Sequence, residues 1–354
     1  MSLNVHKFAA IKGRQSGDDY FTVVCEMAII PRLFLFNEAT IPTELRAQRH
    51  INKTRIPEMA RYMVDNPKNY IFSALTASID GNISFKPLKL NGKDSEIGEL
   101  EIAGDAKLMI NDGQHRCAAI KYAYEQNPSL GNEKVSVVIF EDRGLKRSQQ
   151  MFSDLNKHAV KPTKSLGILY DHRDTFARFI VSLANDVDVF HGRTELAKTN
   201  ISNRSTKFFT LNGIADATKY LLKLKTKSIA AEKQKLAVDY WDIVSKNIPE
   251  WNLLVQKKVN PSELRTNYVH AHTNVLNALG MVGYVLTTEF PDNWKEKLKG
   301  LRKVDWQKSS PIWEGKIMND GRMTKTRLGI KQAANEILQH CGLNKTLDEF
   351  EGNR

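Results

Sequence analysis

The apolar periodicity of this chain changes character once along its 354 residues. Strand-like and helix-like runs alternate up to about residue 142, and from Gly144 onward apolar residues recur mainly at helical spacing. That switch restricts the fold to an α/β unit followed by a mainly helical region, an α+β chain overall. In the first part, residues 21–30 are apolar and β-rich, and residues 135–140 form a buried strand. Ile56, Met59, Ala60 and Met63 lie at helical spacing within 54–64. Residues 70–79 and 83–88 flank Asp80-Gly81-Asn82, a hairpin signal, and a further strand pair surrounds Gly104-Asp105. In the second part helices are expected at 145–155, 165–169, 175–183, 215–224, 230–244, 262–286 and 326–338. Pro261 precedes the long one, with Ser262 as its cap. The expected domains are therefore 1–142 and 143–354.

The polar run Asn111-Asp112-Gly113-Gln114-His115-Arg116 lies between a strand-like run, 106–110, and a helix-like run, 117–124. A strand-to-helix turn presents backbone N–H groups and the positive end of a helix dipole to an anion. Asp112 can cap the helix or hold a metal, Gly113 lets the backbone turn, and Arg116 offers a planar fork for phosphate. The same residues also read as a capped helix start with Asp112 as N-cap, and local chemistry alone leaves both readings open. Arg116 at a helix start opposes the dipole and so requires an anionic partner.

Composition narrows the class. No apolar run approaches the ~20 residues of a membrane helix, the first ten residues lack a signal-peptide layout, and a cytoplasmic location is expected. Cys25, Cys117 and Cys341 are widely spaced with no metal-binding pattern, and Cys117 reads as a small core residue rather than a nucleophile. The net charge of +12 favours a polyanionic partner. Residues 196–235 carry nine Lys/Arg against two Asp/Glu, and residues 293–331 carry eleven against four. A Lys-rich surface kept for solubility is the competing reading.

A second polar cluster, 152–165, gathers Asn156, Lys157, His158, Lys161 and Lys164 around Pro162 and Thr163, which can cap a new helix; it reads either as a second phosphate-binding wall or as a polar loop between two helices. Lys161, Lys164, Arg204, Ser205, Thr206 and Lys207 are the residue types that contact DNA phosphates. Phe208-Phe209, next in the chain, reads as core rather than as a base-stacking platform. His270 and His272, two apart on an expected helix, point to different sides, so no metal site is assigned.

Asp112-Gly113-Gln114-His115-Arg116 followed by Cys117-Ala118-Ala119 resembles the signature of DGQHR-domain proteins in the ParB/sulfiredoxin-like superfamily. The helix around 55–63, then Asn66-Pro67 and the strand from Tyr70, match the order expected before that box. Segment 152–165 is similar to the following Asn-containing motif, but Ala159 stands where ParB proteins carry Arg. Over most of the chain the pattern is similar to the DndB family of bacterial DNA phosphorothioation systems, on residues 200–210, 268–280, Trp306 and Trp313. The resemblance implies a ParB/sulfiredoxin-like N-terminal domain. Asp112, Gly113, Gln114, His115 and Arg116, helped by Asn156 and Lys157, would hold ATP or CTP with Mg²⁺. It also implies a DNA-binding repressor acting on the promoter of its own operon, with other phosphorothioation proteins or a second copy of the chain as further partners.

A second class is a nucleotide hydrolase, coupled to DNA nicking. Asp112 would orient Mg²⁺, His115 would act as acid/base, and Arg116 would stabilise phosphoryl charge. A third is a scaffold that recruits sulfur-transfer components and binds neither ligand.

Overall fold

The computed structural model describes residues 5–35, 55–141, 147, 150–151, 153–155, 162–202, 204–224, 228–344 and 346–347. The chain separates into two compact units, Met1–Val160 and Lys161–Arg354. No described helix is long and apolar enough to cross a membrane.

The first unit is built on a mixed eight-stranded sheet. Its strands are β1 (Val5–Gln15), β2 (Asp18–Glu26), β3 (Phe34–Leu35), β4 (Leu75–Asp80), β5 (Ile83–Leu90), β6 (Lys93–Ala103), β7 (Lys107–Asp112) and β8 (Lys134–Glu141). They lie side by side in the order β3-β7-β4-β8-β2-β1-β6-β5. Helix α1 (Ile30–Leu33) is short; α2 (Arg55–Asp65) and α3 (Gln114–Gln126) pack against each other. Ala60 and Met63 of α2 join Cys117, Ile120 and Ala123 of α3 in a core with Leu75, Ala77, Ile110 and Val137. This is the apolar spacing expected of the 54–64 helix and of a two-sided buried strand.

The expected hairpin at Asp80-Gly81-Asn82 is not there. β4 pairs with β7 and β5 pairs with β6, both antiparallel, with Asp80 opposite Lys107 and Ile83 opposite Ile102. Residues 75–112 thus form one long bent ribbon. Asp80-Gly81-Asn82 and Gly104-Asp105 are the facing bends in its two arms, so β6 and β7 are not neighbours either. The turn that closes the ribbon is Asn91-Gly92, both at positive φ (51° and 78°), the backbone a tight two-residue hairpin requires.

The second unit is helical: α4 (Lys164–Tyr170), α5 (Thr175–Asp186), α6 (Leu211–Leu222), α7 (Ala231–Asn247), α8 (Pro249–Val255), α9 (Pro261–Asn267), α10 (Thr273–Glu289), α11 (Trp294–Lys297) and α12 (Arg327–His340). Thr163 caps α4 as expected, its Oγ1 accepting from Leu166 N. Helices α6 and α10 run side by side in the same direction and touch through Gly280, where a Cβ would lie 2.1 Å from the Ala217 carbonyl oxygen. Trp241, Trp251, Trp306 and Trp313 fill the core with Phe208 and Phe209, so the Phe pair is core.

The expected helix 262–286 is two helices. Val269 N donates to Trp306 O at 2.9 Å and Tyr268 forms a bridge with Gln307, which draws 268–272 out of helical pairing. Asn260, not Ser262, caps α9, its Oδ1 accepting from Ser262 N at 2.9 Å. Of 145–155, Arg147, Gln150, Met151 and residues 153–155 are helical, and the remainder lies outside the described residues.

Candidate functional site

The polar turn stands at the carboxyl end of β7 and opens α3. The N-cap is Gly113, not Asp112, and no side chain caps the helix. Gly113 has φ +101°, and a Cβ there would lie 2.5 Å from Leu75 Cδ2 and 3.2 Å from Arg116 Nη2, so glycine alone fits. Before it, Asn111 is fully buried; its Nδ2 reaches Ser78 Oγ and Met151 Sδ, and its Oδ1 has no partner among the described residues.

Arg116 finds its anionic partner within the motif. Its Nη2 donates to Asp112 Oδ2 at 2.6 Å, and Nη1 donates to the Ser73 and Ala74 carbonyls, both at 2.8 Å, and contacts Ser73 Oγ. The Arg116 side chain is 14 % exposed, so it works as a clamp between the start of α3 and the strand β4 approach. Gln114 Nε2 donates to Ile110 O at 3.3 Å. His115 is held below its ordinary imidazole pKa, first by burial and then by the charge of Arg55 at the start of α2. The start of α3 and the positive charge of Arg55 thus both act at His115, an arrangement that suits an anion. A divalent ion on Asp112 would have to compete with the Arg116 guanidinium for the same carboxylate. Cys117 lies in the core beneath, where burial pushes its thiol pKa up. Asn156, Lys157 and Lys161 lie outside the described residues.

In the second unit, the loop before β9 (Phe209–Thr210) carries Arg204 and Thr206 exposed, with Ser205 and Lys207 half-buried. Arg265 of α9 holds this loop by donating to the carbonyls of Ser202 (3.1 Å), Ser205 (2.8 Å) and Lys207. Lys207 Nζ donates to Gly192 O at 2.8 Å, so its ammonium is partly engaged. The Arg265 carbonyl in turn accepts from Lys308 Nζ at 2.7 Å, and His272 Nε2 lies 3.3 Å from it. Burial lowers the pKa of both Arg265 and Lys308. Lys164 is exposed at the first position of α4.

His270 and His272 sit in the turn between α9 and α10 rather than on a helix. His270 is enclosed by Trp251, Trp306, Tyr268 and Phe208. Its Nδ1 accepts from Trp251 Nε1 at 3.1 Å, and its Nε2 faces Glu250 at 3.5 Å. Among the described residues, no group of three or more His, Cys, Asp or Glu is placed to hold a metal.

A sequence-family model described as DNA-sulfur modification-associated, DndB, matches residues 8–344. The chain belongs to the DndB family. Comparison with curated proteins and with solved structures found no match. The match spans both units of this DndB-family chain, so the helical unit is as much part of the family's protein as the sheet. Family membership ties the chain to DNA sulfur modification.

Three elements of these sites escape sequence reasoning. The Ser73 and Ala74 carbonyls that complete the Arg116 clamp are some forty residues away in the chain. Arg265 stands in an unremarkable helical pattern, and only its position opposite the basic loop gives it a role. Lys308 lies within the basic stretch 293–331, but charge counting cannot distinguish it from its neighbours.

Proposed function

We propose that this DndB-family protein is a DNA-binding regulator of a DNA phosphorothioation gene cluster, acting on the promoter of its own operon. The observation that carries the reading is where the charge lies. Residues 161–354 hold 31 Lys and Arg against 21 Asp and Glu, whereas residues 1–160 hold 21 against 19. A helical unit with that surplus, in a family associated with DNA sulfur modification, has DNA as its natural polyanion. The start of α3, with His115 and Arg55, would bind the phosphates of ATP or CTP and report nucleotide to the DNA-binding state.

The test is promoter-duplex binding by fluorescence anisotropy across a salt series, with and without ATP or CTP. Phosphate-dominated binding weakens by about a thousandfold between low and moderate salt when roughly six phosphates are neutralised. A nearly flat salt dependence would overturn the DNA reading. A His115→Ala variant that kept the full nucleotide response would take His115 at the start of α3 out of that response.

A further inference from the structure

Three long helices of the second unit, α6, α10 and α12, begin at one end of it. A Cβ on Gly213, in the first turn of α6, would lie 3.0 Å from Thr273 Oγ1 at the start of α10. Asn274, next on α10, donates to Thr324 O at 2.5 Å, two residues before the N-cap of α12, Thr326. Ser165 lies 3.0 Å from Asn212 Oδ1 on α6 and 2.9 Å from Lys198 O, which brings Lys164 and Lys198 to the same end. The Arg204 loop joins them through Arg265 and His272, the N-cap of α10.

None of these three helices carries an acidic residue in its first turn. Other helices of the same unit follow the usual preference: Asp174 caps α5, and Glu232, Glu250, Glu263 and Glu296 stand in the first turns of α7, α8, α9 and α11. At the shared end the chain instead places exposed Lys164, Lys198, Arg204 and Lys325, with Arg327 as the first residue of α12. Cations beside helix starts oppose the dipole, so both contributions to the potential are positive and add. Glu195 is nearby, but its carboxylate accepts from the backbone N–H groups of Ala197 and Lys198. Among the described residues no carboxylate pairs with half-buried Lys308.

We infer that this end of the helical unit, where α6, α10 and α12 begin, is the surface that receives the phosphate backbone of duplex DNA. The inference rests on the DNA-binding reading above and adds the face. The cations come from three separate chain segments and are exposed, an arrangement that matches a row of phosphates rather than one enclosed nucleotide.

Two variants of the full chain with equal charge loss test it. One replaces Lys164, Lys198, Arg204 and Lys325 with Ala. The other replaces Lys235, Lys295, Lys299 and Lys303, which lie towards the opposite end, where Lys235 and Lys295 share a hollow and residue 300 packs on the end of α12. Binding to a mixed-sequence DNA duplex is measured by anisotropy as a function of salt. The first variant should bind about tenfold or more weakly, with a salt slope reduced by roughly one for each phosphate no longer neutralised. The second should stay close to the unaltered protein. Equal weakening by both, or none by the first, would overturn the face while leaving DNA binding intact. Failure of the unaltered protein to bind any duplex would remove the DNA reading itself, and this inference with it.

Discussion

In the sheet unit, several positive side chains are answered from within. Lys7 and Lys86 bracket Glu101, Lys7 also reaches Glu99, Lys12 meets Asp19, and Arg116 closes on Asp112. In the helical unit, the cations gathered at the starts of α6, α10 and α12 stand beside helix ends that have no acidic first turn. The two helix-start corners therefore differ in kind. At α3 the arginine is part of the fold, whereas at the shared helical end Lys164, Lys198, Arg204 and Lys325 are exposed to something outside it. A basic residue at a helix start is thus a functional signal only after its own partners have been counted.

The largest expected effect that would break this contrast concerns Arg116 against Arg204. Arg116→Ala removes charged hydrogen bonds to Asp112 and to two carbonyls from a largely buried site, and should destabilise the protein by about 2–3 kcal/mol. Arg204→Ala, at an exposed loop position, should change stability by less than about 0.5 kcal/mol while weakening DNA binding. Urea denaturation of the two variants decides it. Equal costs would mean that the two corners use arginine alike.

The next effect sharpens the contrast from the other side, because the helical unit also buries histidines. Burial holds His272 down to about 4, reinforced by the Lys308 charge, and burial lowers His270 despite the opposing pull of Glu250. Both are neutral in the folded state, so the unfolded chain binds more protons as pH falls. Stability is therefore present above the ordinary imidazole range and is lost as pH drops towards the folded value. From His272 alone the loss between pH 7 and pH 5 should be about 2 kcal/mol. Thermal melts across that range should show it, and His272→Asn should flatten the dependence. An unchanged pH profile in that variant would exclude His272 as its source.

What could be read in advance divides along the same physical line. Helix α2, strand β8, the Thr163 cap and the Phe208-Phe209 core are set by residues close in sequence, where spacing and side-chain type suffice. The Asp80-Gly81-Asn82 signal marked a real change of direction, but which strands pair across it depends on the whole 75–112 ribbon. The break between α9 and α10 is imposed by backbone groups of 306–307, and the Arg116 clamp by carbonyls at 73–74. Each of these depends on a partner distant in sequence, which periodicity does not encode. The basic character of the helical unit was legible from charge counts; its concentration at one end needed the three helix starts to be seen together.

The smallest effect bears on whether the α3 corner, with its arginine already spent, still receives a phosphate. His115 is held low by burial and by Arg55, both of which disfavour the imidazolium. An anion bound at the start of α3 would oppose the Arg55 charge and stabilise the protonated ring, raising the His115 pKa. Binding then takes up a proton, and linkage requires affinity to rise as pH falls through the imidazole range, by roughly twofold to fivefold. Asp112→Asn should enhance the same binding by removing the competing carboxylate from Arg116. An NMR titration of His115 with and without ATP or CTP measures the shift directly. If the His115 titration is identical in both, and Asp112→Asn binds no more tightly, the α3 corner is a structural clamp and the contrast with the helical face is complete.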